Sequence, residues 1–251
     1  MSGHSKWSTI KRKKGAIDAA RGKVFTKVIK EITVAARIGG GDIEANPRLR
    51  LAVNSAKSNN MPADNITRAI KKGTGELEGV SYDEITYEGY GPGGVALIIE
   101  SMTDNRNRTV AELRHLLSKN GGNLAESGAV SWNFERKGVI TVTKGTYTED
   151  DLMNVILEAG ADDMEDADDF FEVTASLENF ETVRKAIEAS TLAGAKIESA
   201  SLQYVPKQTT KVEGSAAEST IKLISVIEDN DDVQNVYTNA DIDEKVMEEF
   251  G

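Results

Sequence analysis

The period of the apolar residues changes near Gly79, and that change constrains the fold more than any other feature of the chain. Before it, apolar side chains recur every three or four positions. Val24, Phe25, Val28, Ile29, Ile32 and Ala36 make one such stripe, stopped by Gly39-Gly40-Gly41, which is the face of an amphipathic helix. Asn46-Pro47 reads as the N-cap and first residue of a second helix through Leu49, Ala52, Val53 and Ala56. Met61-Pro62 opens a third, with Ile66, Ala69 and Ile70 inward and Gly73 as its stop. Three short helices with brief connections predict a small bundle.

Beyond Gly79 the pattern turns to strands. Residues 85–88 and 95–100 read as two strands around a glycine-rich turn. A helix through Val110, Leu113 and Leu117 follows, capped by Asp104 or Asn105 and stopped by Gly121-Gly122, and then a strand over residues 129–134. Within residues 138–205, strand and helix signals alternate in the order βαββαβ, the split βαβ pattern of ferredoxin-like domains. A last helix and strand, residues 216–226 and 233–237, cannot bury an apolar face alone. They are expected to return and complete the sheet begun near residue 82. The predicted fold is α+β in three domains. Residues 1–80 form a basic arm and helical bundle, and residues 81–134 with 206–251 form an α/β domain. Residues 135–205 form an inserted ferredoxin-like α/β domain.

Charge divides the chain at almost the same place. Residues 1–72 hold 16 Lys+Arg and 5 Asp+Glu, net +11; the rest hold 14 and 36, net −22, which together give the overall −11. Local density, not the total, decides contact with a polyanion. Lys6, Lys11, Arg12, Lys13, Lys14, Arg21, Lys23, Lys27 and Lys30 are the candidate phosphate contacts, with Trp7 placed among them to stack on a base. A solubilising tail, or one that folds back on the protein's own acidic residues, is the plainer alternative. Arg106 and Arg108 flank a helix start, where they suit phosphate or carboxylate; a solvated loop paired with Glu112 is the competing reading.

Other chemistry finds little support. Gly89-Tyr90-Gly91-Pro92-Gly93-Gly94 matches a dinucleotide fingerprint in form, but a strand follows where a helix must, so it reads as a turn. The two histidines, His4 and His115, have no nucleophile signature near them. The acidic run of residues 162–169 lacks the glycine and distal glutamate of a calcium loop and reads as a solvated turn. Cysteine is absent. No catalytic residue, metal or cofactor is expected, and with no apolar run near the ~20 residues of a membrane span, the expected location is cytoplasmic.

Gly3-His4-Ser5-Lys6-Trp7, Arg21-Gly22-Lys23, Gly39-Gly40-Gly41-Asp42, Asn46-Pro47-Arg48-Leu49-Arg50, Asn59-Asn60-Met61-Pro62, the Tyr87–Gly94 run and Asp104-Asn105-Arg106-Asn107-Arg108-Thr109 closely resemble the YebC/PmpR family. The resemblance covers essentially the whole chain. It implies a helical N-terminal domain, two α/β domains and a DNA-binding transcriptional regulator. It also implies kinship with the mitochondrial translational activator of cytochrome oxidase, and hence an alternative role as a ribosome- or RNA-binding factor at proline-rich stalls. It brings no catalytic residues.

Overall fold

The computed structural model describes residues 19–167 and 170–250. They fall into two compact units, one of Trp132–Gln208 and one of the described residues up to Ser131 together with those from Thr209 onward.

The larger unit opens with three helices, α1 (Ala19–Gly39), α2 (Pro47–Ser58) and α3 (Ala63–Thr74). Their apolar faces meet in a cluster built from Ile32, Ala36, Leu49, Val53, Ala56 and Ile66 among others. The α2 start follows from Asn46-Pro47 as expected: the Asn46 side chain accepts a hydrogen bond from the Leu49 amide at 3.1 Å. The same side chain donates to the carbonyls of Ala35 and Gly40, both at 2.9 Å, so it fastens α2 to the end of α1 as well.

Gly73 does not stop α3. That helix runs on to Thr74, and the left-handed residue after it is Gly75, φ 82°. Gly73 sits inside the helix because α1 crosses there. A Cβ at this position would stand 2.7 Å from the Ala36 methyl and overlap the Thr33 carbonyl.

A four-stranded antiparallel sheet follows, in the order β3-β1-β2-β9, with β1 Asp83–Tyr90, β2 Ala96–Thr103, β3 Asn123–Ala125 and β9 Val233–Thr238. The β1–β2 hairpin closes through Pro92–Gly94, where Gly93 and Gly94 have φ of 74° and 77°. Only glycine adopts these angles without strain, which explains that motif without a cofactor. Helices α4 (Arg106–Lys119) and α7 (Gly214–Glu228) contribute Leu113, Leu117, Ile221 and Ile224 to the core shared with Leu97 and Ile99. A short parallel pair, β8 (Thr210–Lys211) with β10 (Ala240–Asp241), and a final helix α8 (Glu244–Phe250) complete this unit.

The expected strand over residues 129–134 is mostly turn. The Glu88 carboxylate takes the amides of Gly128, Val130 and Ser131 at 2.7–3.0 Å, so they cannot enter a ladder. Ser131–Asn133 is a single 3-10 turn, and the strand begins only at Phe134. Burial pushes the Glu88 carboxyl up, but those amide donors outweigh it and hold it below the usual range.

The second unit has the βαββαβ order: β4 (Phe134–Thr143), α5 (Glu149–Glu158), β5 (Asp163–Ala167), β6 (Phe170–Ala175), α6 (Phe180–Ala189) and β7 (Ile197–Pro206). The sheet order β5-β6-β4-β7 is antiparallel throughout, as in ferredoxin-like folds. The Phe180 ring of α6 lies against Gly138 of β4, where no side chain would fit. Most of the described acidic run is the edge strand β5 rather than a turn, and its charges discourage further strand addition.

The crossing at Gly73 gives a test. Gly73→Ala should destabilise the protein by ~1–3 kcal/mol, overpacking outweighing the ~1 kcal/mol of helix propensity that alanine adds. Gly22 in α1, where a Cβ meets nothing within 4 Å, should be neutral or stabilised by alanine. Urea midpoints of the two variants check this; equal shifts would mean that the crossing is not tight.

Candidate nucleic-acid interface

The candidate cations separate into three groups. Lys6, Trp7, Lys11, Arg12, Lys13 and Lys14 lie outside the described residues, and Arg21 falls in the first turn of α1 with its side chain outside them. Lys23, Lys27 and Lys30 recur along α1 at helical spacing and meet the acidic end of α7. Lys23 pairs with Asp229 at 3.1 Å, and Lys27 donates to the Glu228 carbonyl at 2.8 Å. A helix C-terminus carries partial negative charge, so these ammonium groups suit it.

Lys30 goes further inside. The residue is 6% exposed, and its ammonium donates to the carbonyls of Met102 (3.2 Å) and Asp231 (2.8 Å) and to Asp232 Oδ1 (2.7 Å). Three donors meet three acceptors, so nothing is left for a phosphate. For these lysines the plainer sequence reading, that the basic segment folds back on the chain's own acids, describes the geometry.

Asp232 is the centre of this arrangement. Its Oδ2 accepts from Arg108 Nη2 at 2.7 Å, Thr109 Oγ1 at 2.8 Å and Thr103 Oγ1 at 3.2 Å. Burial raises the carboxyl pKa, but the bonds from Arg108, Lys30 and Thr109, with the charge on Lys30, bring it from 3.8 down to about 2. A buried carboxylate is tolerated only with such partners. Arg48 adds a second tie, reaching Glu31 of α1 at 2.7 Å and Glu84 of β1 at 2.5 Å.

Arg108 also reaches Asp104 at 2.8 Å, which occupies Nη2. It remains 43% exposed, and its Nε and Nη1 carry no hydrogen bond among the described residues. Its pKa is raised, by the bonds to Asp232 and Asp104 above all. Arg106 is 66% exposed and is held through Nε by Asp83 at 2.8 Å, so both terminal nitrogens stay open. A positioned guanidinium with a free planar edge is suited to bidentate contact with phosphate. Asn105, not Asp104, caps α4, accepting from the Arg108 amide at 3.0 Å.

Sequence reasoning missed another cationic face. Arg68, Lys71 and Lys72 stand three and four residues apart on α3, all exposed, and they make no ion pair among the described residues. Lys57 in the last turn of α2 is also exposed. The i, i+3, i+4 spacing carries the signal, which the denser run of cations at residues 6–30 overshadows in the sequence. Among the described residues no group of three or more His, Cys, Asp or Glu could hold a metal, and no helix is long and apolar enough to cross a membrane.

The helical N-terminal region and two α/β sheets with their covering helices define a multidomain α+β protein, its first region tied down by ion pairs. The chain belongs to the TACO1/YebC family: the TACO1/YebC protein N-terminal domain matches residues 5–76, and the TACO1/YebC second and third domain match residues 82–240. A relative from Desulfotalea psychrophila is 60% identical over 251 residues, covering 100% of this chain and 99% of its own. One from Syntrophobacter fumaroxidans is 59% identical over 249 residues, 99% of each. Both are named probable transcriptional regulatory protein. The crystal structure of a conserved hypothetical protein from Aquifex aeolicus is 45% identical, with a TM-score of 0.82 over 91% of this chain and 93% of that one.

Asp232→Asn should cost ~3–5 kcal/mol at neutral pH, because Lys30 then keeps a buried charge without its counter-ion. The folded pKa of Asp232 lies below that of a free carboxyl. Its contribution is therefore complete above pH 3.8 and is lost as the pH falls through about 2. Urea unfolding at neutral pH and near pH 2 checks this: the gap to the parent protein should narrow on acidification, and a constant gap would contradict the assignment.

Proposed function

We propose that this protein is a nucleic-acid-binding regulatory protein that grips its partner by phosphate contact and performs no catalysis. The observation that carries the reading is the outward cationic face of α3, Arg68, Lys71 and Lys72, which remains once the internally paired lysines are set aside. The forks of Arg106 and Arg108 add to it, as do Lys6, Lys11, Arg12, Lys13 and Lys14 of the N-terminal segment with Trp7 beside them. Lys23, Lys27 and Lys30 take a positioning role. The names of the relatives favour control of transcription, for which DNA is the natural partner.

One observation favours RNA and the ribosome instead. Of the α3 cations, Lys71 and Lys72 lie in the last turn and Arg68 at mid-helix, while the first turn offers Ala63, Asp64 and Asn65. A helix reading base edges in a major groove leads with its N-terminal residues, so this face suits backbone contact, which serves shape-directed RNA binding well. Sedimentation of lysate with and without ribonuclease separates the two. Ribonuclease-sensitive migration with ribosomal particles supports translation; migration as a free protein under both conditions supports DNA.

The salt dependence of binding tests the carrying observation. Changing Arg68, Lys71 and Lys72 together to Gln should lower the log–log slope by ~2–3 units, at ~0.7–0.9 per lost phosphate contact. Neutralising Lys11, Arg12, Lys13 and Lys14 should lower it by ~3–4 units. Lys23→Gln with Lys27→Gln should leave the slope in place. An unchanged slope in the α3 variant would remove that face from the interface.

A further inference from the structure

Trp132 is 65% exposed, more than any other large apolar side chain among the described residues. Displaying an indole forgoes the stabilisation its burial would give, yet the backbone that carries it is firmly held. The next residue, Asn133, is buried. Its side chain donates to the Gln208 carbonyl at 2.9 Å and accepts from the Gln208 amide at 3.0 Å, and its carbonyl accepts from the Lys207 amide at 2.7 Å. The bonds of Asn133 to Lys207 and Gln208 thus hold the backbone next to the indole.

Cations accompany it. Lys207, tied by that main-chain bond to Asn133, is exposed. Where β4 and β7 pair beyond Phe134↔Pro206, Arg136 lies opposite Tyr204 with its guanidinium 5.7 Å from the ring centre. An aromatic platform with neighbouring cations is how proteins hold single-stranded nucleic acid, since every base offers a π-face. Bases inside a duplex are already stacked and closed to such a platform.

We infer that this end of the β4–β7 ribbon binds an unpaired nucleobase, with Trp132 stacking on it and Lys207 and Arg136 meeting the adjoining phosphates. The inference rests on the nucleic-acid reading above and deepens it by assigning single-stranded character to what this unit takes. It is distinct from the phosphate face of α3, which has no aromatic side chain of its own.

The chain has two tryptophans, so Trp7→Phe makes Trp132 the sole reporter and serves as the reference protein. Its emission is followed on adding oligouridylate of about 12 nucleotides, within the range one such surface accommodates, a blunt duplex of equal phosphate number, and polyphosphate. Oligouridylate should quench Trp132, and the other two should leave it nearly unchanged. Adding Trp132→Ala should weaken oligouridylate binding by roughly 5- to 150-fold, the loss of one stacked base, with duplex binding and melting temperature preserved. Trp132→Phe should restore most of the affinity. Equal oligouridylate affinity in the alanine variant, or equal quenching by polyphosphate, overturns the inference. Binding of duplex without single strand overturns it and spares the proposed function, whereas no binding of any nucleic acid sinks both.

Discussion

A carboxylate taken out of water must find its counter-charges within the protein, and Asp232 finds them on elements far apart in the chain. Lys30 comes from α1, Thr103 ends β2, Arg108 and Thr109 belong to the first turn of α4, and Asp232 itself precedes β9. Such a cluster adds little net stability over an apolar filling of the same volume, because desolvation cancels much of the attraction. Its effect is directional. Apolar faces can slide over one another, but an ammonium with three assigned acceptors fixes where α1 lies against the end of α7 and the start of α4.

The cluster also changes the meaning of the charge distribution. The first 72 residues hold a net +11, which suggests a broad cationic surface. Along α1, however, Lys23, Lys27 and Lys30 face the carbonyls and acids of residues 228–232. What reaches solvent is set by helix rotation: α1 buries Lys30 and turns Lys23 and Lys27 to the end of α7, whereas α3 buries Ile66 and Ala69 and keeps Arg68, Lys71 and Lys72 outside. Net charge therefore overstates the cationic surface that reaches solvent, which each side chain's own contacts decide.

What was legible in the sequence was local. Asn46-Pro47 at a helix start, the glycines of the β1–β2 turn and the alternation across residues 138–205 each act within a few positions, so their effect can be read from the neighbours. The Lys30–Asp232 pair spans 202 residues, and no pattern announces it. Lysines on the polar side of an amphipathic helix look solvent-facing until the acidic partner is placed beside them. Gly73 was misread for a related reason: a glycine late in a helix resembles a stop, and only the crossing with α1 shows why a side chain is excluded. Residues 129–134 have the composition of a strand, but Glu88 claims the amides of Val130 and Ser131 from more than 40 positions away.

The late position of β9 has a consequence for synthesis. β2 acquires its outer neighbour only when residues 233–238 exist, and Asp232 comes immediately before them. Until residues 228–232 are made, the α1 helix can form and pack with α2 and α3, yet Lys23, Lys27 and Lys30 have nowhere to dock. Folding of the larger unit thus waits for residues 232–238, in keeping with the slow closure of contacts distant in sequence. A chain that stops before Asp232 would carry an unmet row of lysines on α1 and an open sheet edge, so premature termination should produce a sticky fragment rather than a smaller working protein.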